Sequence, residues 1–202
     1  MTELTATRSV AVALADERRA MQEGYVFLDE KCLLLAGAML RELRRFDAAG
    51  VRLRGLQARA AAALAAALRL HGLQGLQCYP ASPQDAITLQ LRQRLLLNVP
   101  LLDATVGREA LAAPEPAYVS PEAEDCRDAF SALTQQLVLM AAMSGNLARL
   151  YRDYRRSVRR VRALQDVLLP ELDADIKEID TQLEELEREE VLGARWRPGG
   201  SA

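Results

Sequence analysis

The residues best suited to chemistry in this sequence are arginines in its second half. Seven of them fall within fourteen residues: Arg149, Arg152, Arg155, Arg156, Arg159, Arg160 and Arg162. A guanidinium group is permanently charged and binds carboxylates or phosphates. We expect either an acidic partner surface that these arginines contact or a helix surface that water alone compensates.

Catalytic and metal-binding patterns are missing from the sequence. His71 is the single histidine and precedes Gly72, which favours a helix C-terminus over a catalytic base. Cys32, Cys78 and Cys126 are widely separated, without a CxxC pair. No phosphate loop ending in Gly-Lys-Ser/Thr, HExxH motif or serine elbow occurs. We therefore predict no catalytic residue, no cofactor, no metal site and no enzymatic activity.

Composition restricts the partners further. The formal net charge is -2 and aromatic residues make up 4% of the chain, so the arginines are not interleaved with the stacking side chains typical of nucleic-acid binding. The longest apolar run, Cys32 to Leu40, is about half a membrane span. We expect a cytoplasmic protein that binds no nucleic acid and does not insert into the membrane directly.

Two long heptad patterns predict the elements that position the arginines. The first half places apolar residues at alternating steps of four and three, including Met21, Tyr25, Leu28, Leu35 and Leu43. The second half repeats the pattern through Leu137, Ser144, Tyr151, Tyr154 and Val158. An antiparallel pairing that sets Phe46 near Tyr154 would bring Arg41, Arg44, Arg45, Arg52 and Arg54 level with the arginines of the second half.

The second heptad pattern continues through Leu164, Leu168 and Leu172. Pro170 lies within it and predicts a kink or a short interruption of the helix.

The middle of the chain is irregular. Gly, Pro and Gln punctuate it from His71 onward, and Ile87–Arg92 alternates apolar and polar residues before another apolar run at Leu95 to Val99, which indicates a short β-hairpin. We predict an all-α fold: a long antiparallel two-helix coiled coil of arms 1–70 and 126–195, a middle region 71–125 of short helices with that hairpin, and a flexible tail 196–202. The apolar stretch Leu89 to Leu102 is hard to bury in so thin a molecule, so we expect it to dock another subunit.

One block resembles a known family. Arg159-Arg160-Val161-Arg162-Ala163-Leu164, followed by Pro170, is similar to the Arg-Arg-Val-Asn-Ala-Leu signature and later proline of the V/A-type ATPase D subunits. Glu187-Arg188-Glu189, Gly24–Leu35 and Arg94–Pro100 resemble other stretches of the family in the same order. The resemblance marks eight positions as family-signature and torque-contact candidates: Arg155, Arg156, Arg159, Arg160, Val161, Ala163, Leu164 and Pro170.

The resemblance implies a function for the whole chain. It would be the non-catalytic central stalk, or rotor shaft, of a bacterial V/A-type rotary ATPase, transmitting torque between the hexamer that makes or hydrolyses ATP and the membrane ring that moves ions or protons. Its implied partners are the catalytic and non-catalytic nucleotide-binding subunits, a small stalk subunit, and a membrane-side coupling subunit above the proteolipid ring, which would hold it at the cytoplasmic face. A free-standing coiled-coil scaffold or adaptor is the alternative, and the seams alone serve both.

Overall fold

A computed structural model describes residues 7–80, 87–108 and 118–196. Helix α1 (Arg8–Gln77) is followed by strands β1 (Ile87–Leu96) and β2 (Val99–Arg108), helix α2 (Pro121–Ala163), a π-helical turn (Leu164–Leu168) and helix α3 (Leu169–Trp196). The predicted all-α class with a small antiparallel hairpin is confirmed. The chain divides into two compact units: the terminal unit, from residues 1–34 and 154–202, and the central unit, from residues 35–153.

In the terminal unit, the start of α1 pairs antiparallel with α3. Arg8 Nη2 donates to Glu187 Oε1 at 2.7 Å, and Arg18 Nε donates to Asp173. These hydrogen bonds raise the pKa of both guanidinium groups. Two acidic residues of α3, Asp173 and Glu187, thus form ion pairs with basic residues of α1. Both pairs are exposed and add little stability.

The interruption expected at Pro170 is the π-helical turn just before it. Proline has no N–H for an i→i−4 bond and its ring clashes with the carbonyl four residues back, so the chain widens ahead of it. The Leu169 N–H bonds the Leu164 carbonyl, five residues back. Because of this extra residue, Leu169 and not the predicted Leu168 lies one turn after Leu164 on the same face of the helix. Leu168 is 40% exposed, whereas Leu169 is half-buried.

In the central unit, α1 and α2 also run antiparallel, and small residues hold them together. Gln136 Nε2 donates to the Ala49 carbonyl at 3.0 Å. The buried stripe of α1 contains four alanines that are at most 5% exposed: Ala38, Ala49, Ala60 and Ala67. Helix axes approach closely where side chains are this small, so the core needs few aromatic residues.

The buried stripe differs from the predicted seam at several positions. Leu43 is 44% exposed, while its neighbour Glu42 is 6% exposed. On α2, Tyr151 is 50% exposed, Leu137 and Ser144 are also exposed, and Asn146 and Leu150 are buried. Glu42 and Asn146 occupy the core because they hydrogen-bond each other, which a search for apolar heptads does not detect.

The predicted pairing of Phe46 with Tyr154 is wrong. Phe46 lies between Glu42 and Ala49, whose partners are Asn146 and Gln136. The segment opposite Phe46 is therefore 136–146, which precedes Tyr154 in α2. The predicted alignment of the two arginine clusters loses its basis. Several predicted seam residues do contribute to the packing: Met21, Tyr25, Leu28, Tyr154 and Val158 are half-buried, and Leu35 is fully buried.

The hairpin forms where the sequence alternates. Its strands pair from Ile87↔Arg108 to Leu96↔Val99 around the two-residue turn Leu97-Asn98. Both turn residues have positive φ, 50° and 68°, as a type I′ turn requires. This turn has the twist that matches a right-handed pair of strands, which fixes the register.

Both long helices extend into the stretch 71–125, which the sequence pattern indicated to be irregular. α1 continues past Gly72, whose φ of 65° breaks the helix locally, and ends at Gln77. α2 begins at Pro121, after Ser120, whose Oγ accepts from the Ala123 N–H at 3.2 Å. Residues 81–86 and 109–117 of the predicted middle region and the tail beyond Trp196 lie outside the described residues, and the division into 1–70, 71–125, 126–195 and 196–202 stays a prediction. Over the described ranges, no helix combines the length and apolarity needed to cross a membrane.

Candidate functional site

The exposed arginines at the end of α2 form the first candidate site. We call Arg155, Arg156, Arg159, Arg160 and Arg162 the arginine surface, and all five are exposed. Val161 is 9% exposed and Leu164 is half-buried, so they anchor this stretch of helix in the terminal unit. Ala163 and Pro170 are exposed.

Four of the five arginines of this surface form no ion pair with a described residue. Across the described ranges, no carboxylate lies within 4 Å of Arg156, Arg159, Arg160 or Arg162. Four exposed guanidinium groups so close together produce a positive potential that extends over about one Debye length, about 8 Å at physiological salt. The arginine surface is suited to contact an acidic surface through charge.

The second candidate site is a buried polar cluster in the central unit. Asn146, 1% exposed, accepts the Leu102 N–H at its Oδ1 and donates its Nδ2 to the Leu102 carbonyl, each at 2.8 Å. The side-chain amide thereby satisfies both backbone groups of one residue in β2. We call this contact the amide clamp. It fixes the position of the hairpin along α2, because Leu102 of β2 must lie beside Asn146.

Charged residues surround the amide clamp. The Asn146 Nδ2 lies 3.4 Å from Glu42 Oε1, and Arg149 Nη1 donates to Asn146 Oδ1 at 3.2 Å. Arg45 Nη1 lies 3.7 Å from the Glu42 carboxylate. Arg45 and Arg149 therefore stabilise a structural cluster within the central unit rather than standing free.

The hairpin keeps an apolar face in solvent. Leu89, Leu91 and Leu95 are 55%, 58% and 69% exposed. A groove of about 210 Å³ separates part of this face from α2. Its lining is apolar except for one guanidinium group: Leu89, Leu91, Leu102, Ala104, Val138, Ala141, Ala142, Gly145 and Arg149. The groove and the exposed leucines beside it form a continuous apolar surface.

His71 has a structural contact. Its Nε2 lies 2.6 Å from Ser120 Oγ, and its ring lies 5.8 Å from that of Tyr118. The contact ties the break at Gly72 to the start of α2. In the portion of the chain that the structure describes, no three His, Cys, Asp or Glu side chains are grouped as metal ligands.

Sequence reasoning missed Glu42, Asn146 and Ser120. A signal for Glu42 was present, because it lies one heptad after Leu35 and one heptad before Ala49. Asn146 lies four residues before the buried Leu150 on the same helix face. Nothing local in the sequence indicated that its amide would meet a strand 44 residues away.

These features define an elongated-helix protein of the all-α class: aliphatic and alanine stripes pair its helices, while a cationic surface and an apolar hairpin face are exposed. The chain belongs to the family of ATP synthase D subunits, whose model matches residues 11–196. The resemblance carried by the block from Arg159 to Pro170 is thereby confirmed.

Individual relatives agree with this assignment. The chain is 26% identical over 196 residues to the V-type ATP synthase D subunit of Anaeromyxobacter sp., covering 95% of this chain and 91% of that protein. It is 28% identical over 109 residues to the A-type ATP synthase D subunit of Thermococcus gammatolerans and to that of Desulfurococcus sp.. In these two alignments, which cover 53% of this chain, it spans about half the length of the relative, 51%.

Proposed function

We propose that this chain is the central stalk subunit of a bacterial V/A-type rotary ATPase and transmits torque between the nucleotide-binding hexamer and the membrane ion-translocating ring. The observation that carries the proposal is the family match over residues 11–196, which includes most of both units. In this proposal ATP is made or hydrolysed on the partner subunits, and the chain transmits the motion.

The paired helices support a mechanical role. In each unit, one segment of α1 runs antiparallel to a segment from the second half of the chain. A pair of helices with a packed interface resists twisting better than a single helix, because rotation of one must break contacts with the other. The Gln136–Ala49 and Asn146–Glu42 hydrogen bonds join α2 to α1 and oppose sliding of one helix along the other.

The arginine surface supports a contact with the nucleotide-binding subunits. Its charge is long-ranged, so acidic loops on successive subunits could engage it in turn without an exact side-chain fit. The open hairpin face supports a second contact, with the small stalk subunit or the membrane-side coupling subunit. Through these partners the chain is held at the cytoplasmic side of the membrane.

Purification of the tagged chain from its native cells, with mass spectrometry of the recovered proteins, tests the proposal. We expect the two large nucleotide-binding subunits and a small stalk subunit in constant proportion to the chain. An untagged strain provides the control. Recovery of an intact rotary ATPase that lacks this chain would overturn the stalk role and favour the scaffold alternative.

A further inference from the structure

We propose that the outer edge of β1 is a strand-addition site, which binds an extended segment of another protein carrying acidic residues on one face and apolar residues on the other. This deepens the docking part of the proposed function and in that respect rests on it. Its principal test does not depend on that function.

The amide clamp reveals which way the backbone groups of β1 point. The Leu102 N–H and C=O bond Asn146, so they face away from β1. In an antiparallel pair, residues of a non-hydrogen-bonded couple turn their N–H and C=O groups away from each other. Gln93 is the partner of Leu102, so its backbone groups face the outer edge of β1.

The same geometry repeats every second residue. Leu89, Leu91 and Leu95 share the orientation of Gln93, and Leu95 is opposite Pro100, which has no N–H to offer either edge. Within the described ranges, none of these four β1 residues has a backbone hydrogen bond beyond the ladder with β2. Residues 89–95 are all exposed. β1 therefore offers a row of free donors and acceptors, the template for adding a strand.

The two faces of this edge specify the occupant. One face carries Leu89, Leu91, Gln93 and Leu95, of which Leu89 and Leu91 line the apolar groove. The other carries Arg92 and Arg94. Arg94 lies 3.3 Å from Asp103, whereas no carboxylate of the described residues lies within 4 Å of Arg92. A strand with apolar residues on the first face and glutamate or aspartate on the second complements both.

Charge also disfavours two of the registers in which a second copy of this chain could pair with this edge. An antiparallel self-pairing centred on Arg92 sets that residue opposite itself, and one centred on Gln93 sets Arg92 opposite Arg94. Like charges directly opposite each other destabilise a pair of strands. Charged residues on an edge strand are a common protection against self-association.

Amide hydrogen exchange on the full-length chain tests the proposal. The probe is a synthetic decapeptide of alternating valine and glutamate, and the matched control peptide alternates valine and lysine. At a saturating concentration, we expect the glutamate peptide to slow amide exchange at Leu89, Leu91, Gln93 and Leu95 by at least about tenfold. We expect the lysine peptide to leave these exchange rates unchanged. Unchanged exchange with the glutamate peptide, or equal protection by both peptides, would overturn the proposal.

Two variants sharpen the test. Gln93→Pro removes an N–H that points to the outer edge of β1 and leaves the hydrogen bonds between β1 and β2 in place. It should lower the affinity for the glutamate peptide about tenfold relative to Gln93→Ala. Arg92→Glu leaves the backbone unchanged, and this variant should bind the lysine peptide more tightly than the glutamate peptide. An unaltered preference in Arg92→Glu would contradict the charge argument even if Gln93→Pro disturbed the hairpin.

The same exchange measurement on the purified assembly asks whether the site is used. Protection at these alternate residues in the assembly would support the proposal. If the chain were present in the assembly and its edge amides remained unprotected, strand addition would be overturned while the stalk role stood.

Discussion

At the scale of single residues, Asn146 shows how one polar side chain can position a whole element. Its amide presents one donor and one acceptor, which match the N–H and C=O of Leu102. A leucine of similar size would fill the space but leave both backbone groups unpaired, and buried unpaired groups cost about 1–3 kcal/mol each. Hydrogen bonding, more than packing, therefore explains an asparagine at this position.

Asn146→Leu should lower the free energy of unfolding by about 2–3 kcal/mol, and Asn146→Asp by about 3–5 kcal/mol. The aspartate keeps the acceptor, loses the donor to Leu102 and sets a second buried carboxylate beside Glu42. Urea unfolding of the purified chain measures both. Ser144→Asp, on the exposed surface of the same helix, serves as control, and an equal loss in Ser144→Asp and Asn146→Asp would refute the role of the clamp.

The cysteines provide a second residue-scale prediction. Burial raises the pKa of the Cys126 thiol, so less of it is thiolate at a given pH, whereas Cys78 is exposed. Iodoacetamide at about pH 8 should alkylate Cys78 at least about ten times faster than Cys126. Peptide mass spectrometry at timed intervals gives both rates, and unfolding in urea should bring them together. Equal rates in the native chain would show that the start of α2 opens readily.

At the scale of elements, the π-helical turn corrects the phase of the second helical arm. Five residues separate Leu164 from Leu169, and both remain half-buried, since one residue is accommodated in a widened turn. Val161, which is buried, and Leu172, which is half-buried, then stay in the same stripe. The extra residue is absorbed locally instead of rotating α3.

Deleting Val167 together with Pro170→Ala should convert the widened turn into regular α-helix and keep α3 in phase. We expect an unfolding free energy within about 1 kcal/mol of the parent chain. Deleting Lys177 with Pro170→Ala removes an exposed residue from a regular stretch and rotates all that follows, including Ile179, so we expect a loss of about 3 kcal/mol or more. Circular dichroism during thermal unfolding compares them, and equal losses would refute this account of the turn.

At the scale of the whole molecule, the chain combines nearly neutral overall charge with local imbalance. Its formal net charge is -2, while Arg156, Arg159, Arg160 and Arg162 have no carboxylate within 4 Å among the described residues. Exposed charges without intramolecular ion pairs contribute little to folding. Their effect should therefore be found in assembly.

The triple variant Arg156→Glu, Arg159→Glu, Arg160→Glu should keep stability within about 1 kcal/mol of the parent chain. In the rotary ATPase of the proposed function it should lower the ratio of ions moved to ATP hydrolysed by about twofold or more. The ratio of ions moved to ATP hydrolysed, measured at two salt concentrations, checks this. Reversing Arg52, Arg54 and Arg59, also exposed and without a carboxylate within 4 Å among the described residues, gives the same charge change as a control. Unchanged coupling in the first variant would favour a purely solvated surface.

Patterns of spacing predicted the helices and the hairpin because each depends on local periodicity. The alternation at Ile87–Arg92 was enough to identify β1, and Pro170 identified the interruption of the second arm. The core register was harder, since Glu42 and Asn146 resemble surface residues until their partner is known. The choice between Leu43 and Glu42 depends on a hydrogen bond across 104 residues of sequence, which no local pattern contains.

The alanines of the central unit also decide how its sequence can change. Ala38, Ala49, Ala60 and Ala67 are at most 5% exposed, so a larger side chain there must push neighbouring backbones apart. Compensating changes would be needed on both helices at once. During divergence these four positions should drift only among alanine, glycine and serine, while Arg52 and Arg59, exposed and without an ion pair to a described residue, vary freely unless a partner constrains them.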